Sequence, residues 1–218
     1  MKPHTLCPVS AQPTLRLRFY QALVFLVLMG VVASTVFSQT YDPLSASSGT
    51  GSVSNEEKAQ PAPPAEVREA LGDAVLQGQK RFRWLAFSVY DIRLWVKKPL
   101  KTDDWDRRPF ALELVYARSL KGEAIAERSL DEMTAQEKVD AQSGAKWLSF
   151  MQTAFPNVDD GDRLTGIYRP DGGATFYFNG RETATTKDAD FARLFFGIWL
   201  SSDTSEPAMR RALFGMNE

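Results

Sequence analysis

Three arginines and two tyrosines carry most of the chemistry this sequence offers. Arg81 and Arg83 stand among aromatic residues in KRFRWLAFSVYDIRLWV (80–96), and Arg118 shares a strand face with Leu114 and Tyr116 in FALELVYAR (110–118). A guanidinium in an apolar cleft offers a carboxylate or enolate oxygen two directed N–H donors, so it can hold an acid or stabilise developing negative charge. Tyr90 and Tyr116 would add hydroxyl donors beside it. Each arginine also has a plainer role, in which its stem covers the sheet while its head meets solvent or pairs with Asp91 or Glu113.

Composition excludes most alternatives. The 218 residues contain one histidine and one cysteine, His4 and Cys7, so nothing beyond residue 7 can supply a histidine triad, a thiol nucleophile, a Cys/His zinc site or a disulfide. Asp159, Asp160 and Asp162 form a tight acidic cluster, but their spacing fails the EF-hand pattern and reads as a polar turn. Ser143 and Lys146 are three apart with no G-x-S-x-G, and Ser143 is read as a helix N-cap. The sequence implies no cofactor and no metal. Beyond residue 40 there are 23 basic and 27 acidic residues, a balance with no bias toward nucleic acid.

The elements that must position these residues follow from periodicity. Arg16 and Arg18 precede an uncharged apolar stretch, the order of an export signal, with Val36-Phe37-Ser38 or Ala33 as cleavage signals. The apolar run is also long enough to span a bilayer, so residues 1–38 read as a cleaved signal peptide or a membrane anchor, with residues 19–37 as the tether. The domain would then be periplasmic or anchored to the outer face of the cytoplasmic membrane. Residues 39–65, rich in Ser, Gly, Ala and Pro, read as a disordered linker, and residues 66–218 as one domain.

Within the domain, alternation predicts one long or bulged strand over 80–96 and a second over 110–118. Gly122–Glu137 is expected to be helical, with Ser129 and Glu132 at capping-box spacing. Trp147, Phe150, Met151, Ala154 and Phe155 predict a helix stopped by Pro156, and Phe191, Leu194, Phe195, Ile198 and Trp199 repeat the stripe as core packing. Between them three short alternating runs, separated by Asp171-Gly172-Gly173 and Asn179-Gly180, predict a meander. A last helix over 206–214 would be capped by Thr204 or Ser205. The fold class is α+β with an antiparallel sheet.

The run RFRWLAFSVYDIRLWV, then FALELVYARSLKGEAIAERSLDEM, then Trp147 to Pro156 followed by GDRLTGIYRP, and finally FARLFFGIWLSSDTSEPAMRRALFG, resembles the bacterial chalcone isomerase-like domain over nearly all of residues 66–215. The resemblance implies an open-faced β-sandwich, an antiparallel sheet with helices layered on one face and a ligand cleft between. Chalcone isomerases close a phenolate onto an enone, aided by an arginine and hydroxyl-bearing residues, with neither His nor Cys required. Carried over from Val89-Tyr90, the catalytic threonine falls at Leu85; carried over from Gly122, the cleft tyrosine falls at Ile125 and the cleft asparagine at Glu132. Other members of the superfamily bind fatty acids through an arginine and a tyrosine. The resemblance therefore implies a non-catalytic module for a small apolar carboxylate such as a fatty acid, held by Arg81, Arg83 or Arg118 with Tyr90 or Tyr116. The alternatives are an isomerase or intramolecular lyase acting on an enone-like substrate, and an interaction or scaffold domain with a filled cleft.

Overall fold

The computed structural model describes residues 61–216, so the readings of residues 1–38 and of most of 39–65 lie outside the described residues. Among the described residues no helix is long and apolar enough to cross a membrane. The chain runs α1 (Ala65–Leu71), β1 (Val75–Trp84), β2 (Phe87–Val96), a 3-10 turn (Trp105–Arg107), β3 (Phe110–Tyr116), α2 (Gly122–Gln136), α3 (Ala141–Ala154), β4 (Arg163–Arg169), β5 (Gly173–Phe178), β6 (Arg181–Thr186), α4 (Ala189–Leu200) and α5 (Pro207–Leu213). The six strands form one sheet in sequence order, every neighbour antiparallel. This is the expected α+β, open-faced architecture.

Strand alternation divides the core in two. Ile92 and Leu94, then Phe110, Leu112, Leu114 and Tyr116, then Leu164, Tyr168 and Phe176 join the apolar sides of α2 to α5 in the main core. The intervening Trp95, Ala111 and Ile167 pack with Val67, Leu71 and Ala74 in a second cluster. Four helices thus cover one face, and α1, a helix absent from the elements predicted by periodicity, covers part of the other. Polar contacts fasten α1 in place: Glu66, 3% exposed, accepts from the Thr165 hydroxyl at 2.8 Å and pairs with Arg163 at 3.1 Å.

The single strand expected over 80–96 is a hairpin, in which Phe82 opposes Tyr90 and Trp84 opposes Phe87. Its two-residue turn is Leu85-Ala86, with Leu85 at φ 54°. An apolar pair without Gly, Asn, Asp or Pro gives no turn signal, which is why alternation reads straight through it. By contrast Asn179 and Gly180, at φ 49° and 83°, form the expected turn between β5 and β6.

The caps also differ from expectation. Ser129 and Glu132 do not open a helix; α2 is already under way, and the Ser129 hydroxyl donates back to the Ile125 carbonyl at 2.8 Å. The N-cap of α3 is Asp140, which accepts from the Gln142 and Ser143 amides, rather than Ser143. Neither Thr204 nor Ser205 is the N-cap of α5: Glu206 holds that position, and Thr204 instead accepts from the Glu206 amide and donates to the Ile198 carbonyl. A short polar residue close to a helix start suits several adjacent positions, and only the path of the chain selects among them.

Candidate ligand-binding site

The sheet separates the sequence-derived candidates. Arg81 opposes Asp91 across β1 and β2, and its Nε and Nη2 donate to both carboxylate oxygens at 2.7 and 2.6 Å. That bond draws the Asp91 carboxyl below its ordinary range. The Arg81 guanidinium is spent on this half-exposed pair, the plainer role foreseen for it. Arg83 is exposed near the hairpin tip. Arg118 lies past the end of β3 rather than on the strand face expected for it; it is half-buried with its guanidinium 5.6 Å from the centre of the Phe87 ring, and its Nε is buried without a hydrogen-bond partner among the described residues.

Tyr90 and Tyr116 both face the helices. Tyr90 stacks on Phe82 with centroids 5.0 Å apart and meets the edge of Tyr116 at 6.0 Å. From α4, the Trp199 indole donates to the Tyr90 hydroxyl oxygen at 3.1 Å. That bond occupies the oxygen as an acceptor and leaves the phenolic proton to be donated. Burial pushes both phenols well above their ordinary range, so each stays neutral and can act only as a hydroxyl.

Within electrostatic range of Tyr90 lies a polar stretch of α2 outside the strand residues singled out in the sequence. Ile125, Arg128, Ser129 and Glu132 fall at i, i+3, i+4 and i+7, one side of the helix. Arg128 Nη2 donates to Glu132 Oε1, and the Ser205 hydroxyl donates to Glu132 Oε2 at 3.0 Å. Arg128, Glu132 and Glu206 all act electrostatically on the Tyr90 phenol. Burial, followed by the charge of Glu132, pushes the Glu206 carboxyl up. The sequence signal for this group was Arg128 four residues before Glu132, a spacing shared by many solvated helix faces.

Of the cleft positions carried over by resemblance, Glu132 and Ile125 lie on this side of α2, whereas Leu85 sits at the hairpin turn, 83% exposed. Leu85 therefore reports nothing about the cleft. Ser143 and Lys146 are not paired: Lys146 binds Asp188 at 3.0 Å, where the Trp147 indole also donates. The aspartates at 159–162 order a turn, Asp159 accepting from Ser119 and Asp162 from Asn179 and the Asp159 amide.

Residues 73–215 match the model of the chalcone isomerase-like family, and the chain belongs to it. The chain is also similar to an uncharacterized protein of Haemophilus influenzae, 29% identical over 138 residues, a stretch covering 63% of this chain and 66% of that protein. Among solved structures it is similar to a fatty-acid binding protein of Arabidopsis thaliana, with TM-score 0.48 and 11% identity over 65% of this chain and 84% of that one.

Proposed function

We propose that this domain is a non-catalytic binding module for an apolar small molecule with an acidic end, such as a fatty acid, and that it acts outside the cytoplasm. The observation that carries the reading is the Tyr90 phenol, half-buried beside Phe82, Tyr116 and Trp199, with its oxygen occupied and its proton unspent among the described residues. A donor in apolar surroundings binds an oxygen more strongly than the same donor in water. Aromatic side chains pack beside that donor and the charge of Arg128 acts on it, a combination that suits an amphipathic acid. Family membership supports the reading, since the superfamily includes members that bind fatty acids.

Ring closure needs a donor at the cleft position that resemblance assigns to Ile125. Ile125 cannot hydrogen-bond to an enolate. Tyr90 and Tyr116 are held neutral by burial, so neither supplies a phenolate base. Export rests on Arg16 and Arg18 ahead of the uncharged apolar stretch.

The test is lipid extraction of the purified full chain with mass spectrometry, followed by titration of the stripped protein with dodecanoate. A co-purifying apolar acid and saturable binding are expected. Tyr90→Phe should weaken binding by about tenfold through loss of one hydrogen bond to a charged acceptor. Arg81→Ala should leave it unchanged, because that guanidinium is committed to Asp91. An empty extract together with no dodecanoate binding would overturn the reading.

A further inference from the structure

We propose that Arg128, a helix residue, is the cation that holds the ligand's acidic end, and that Glu132 is its internal competitor. The proposal rests on the binding role above and identifies the residue that confers preference for acids. The Arg128 side chain is 38% exposed, whereas the Glu132 carboxylate it contacts is 9% exposed. The ion pair therefore reaches from the interior to an open edge. Glu132 takes one Nη2 donor, and the hydrogen bonds of the described residues leave the other N–H groups of the guanidinium unused. Those donors belong to a planar fork suited to a carboxylate.

Glu132 is held from two sides, by Arg128 and by the Ser205 hydroxyl on the loop between α4 and α5. An incoming carboxylate can share the guanidinium or displace Glu132, which keeps Ser205 as a partner. Both charges of the pair act on the Tyr90 phenol, and Trp199, which donates to that phenol, lies on the helix that leads into the Ser205 loop. The other three candidate arginines serve less well. Arg81 already carries a carboxylate, and Arg83 is exposed. Arg118 is the real rival, because its buried Nε has no hydrogen-bond partner among the described residues.

The experiment titrates full-length wild type, Arg128→Gln, Arg118→Gln and Glu132→Gln with dodecanoate and with dodecanol, which has the same chain and no charge. Arg128→Gln should weaken dodecanoate by at least about tenfold while shifting dodecanol less than about threefold, the selectivity of a lost charge-assisted bond. Glu132→Gln should tighten dodecanoate, since a neutral amide competes less for the guanidinium. Thermal unfolding identifies any variant that fails to fold, and Glu132→Gln, nearly isosteric, then carries the test. Equal losses for acid and alcohol would assign Arg128 a structural role and overturn the proposal. A selective loss in Arg118→Gln with Arg128→Gln unaffected would overturn it while leaving the binding role intact. Absence of dodecanoate binding by wild type would instead remove the role on which the proposal rests.

Discussion

Tyr168 shows at the scale of one side chain how burial and function diverge. Its ring stacks on Phe110 with centroids 4.9 Å apart, and its hydroxyl donates to the Asp106 carbonyl at 2.8 Å. The phenol is pushed from 10.0 up to about 12, mainly by burial, with the negative charge of Asp106 adding to it. A raised folded-state value means that the contribution to stability is complete below pH 10 and is lost as pH rises toward 12. Tyr90 and Tyr116, also raised, act in the same direction. Urea unfolding from about pH 8 upward should therefore show falling stability above pH 10, with a shallower fall in Tyr168→Phe. A slope unchanged in that variant would mean that Tyr168 ionises without penalty. The difference between Tyr168 and Tyr90 lies in the hydroxyl proton: Tyr168 spends its proton on backbone, whereas Tyr90 accepts from Trp199 and keeps its own.

At the scale of elements, the β1–β2 hairpin places a β-branched and aromatic sequence around an unfavourable turn. Leu85 adopts a left-handed conformation while 83% exposed, so its side chain gains little in return for the strain. An L-residue there costs about 1–2 kcal/mol, and glycine gives back part of that through its greater freedom when unfolded. Leu85→Gly is expected to stabilise the protein by about 0.5 kcal/mol, read as a higher urea midpoint with unchanged slope. Destabilisation would reveal packing by Leu85 that its exposure does not suggest. The same hairpin brings β1 against α5, where Gly78 lies so close to the Ala212 and Leu213 carbonyls that a Cβ would overlap them. The small residue thus fixes how closely the last helix approaches the sheet edge. The sequence identified the meander and the amphipathic helices because apolar spacing is local; it missed the hairpin because its turn residues are not turn formers.

For the whole molecule, α1 makes the domain larger than its family match. The match begins at residue 73, yet Val67 and Leu71 of α1 are buried over Trp95, Ala111 and Ile167 on the sheet face away from the other helices. A chain beginning at residue 73 would expose that patch and leave Arg163 and Thr165 without Glu66. Loss of two buried aliphatic side chains alone corresponds to about 4 kcal/mol. Calorimetry should show a lower melting temperature than for a chain beginning at residue 61, with more aggregation. Equal melting temperatures would make α1 dispensable.

By itself the sequence determined the helices of the main face, the meander, the α+β class, and the absence of imidazole and thiol chemistry beyond residue 7, since these depend on residue type and short-range spacing. It also marked Tyr90 as a candidate, because alternation sets which strand residues share a face. Tertiary structure decided the rest. It turned Arg81 onto Asp91, put Leu85 at an exposed turn, and brought Arg128, Glu132 and Glu206 into the electrostatic reach of Tyr90. Residue type shows that a guanidinium can bind a carboxylate, but which carboxylate it meets depends on contacts between residues as far apart as Tyr90 and Trp199, set by packing of the sheet and helices.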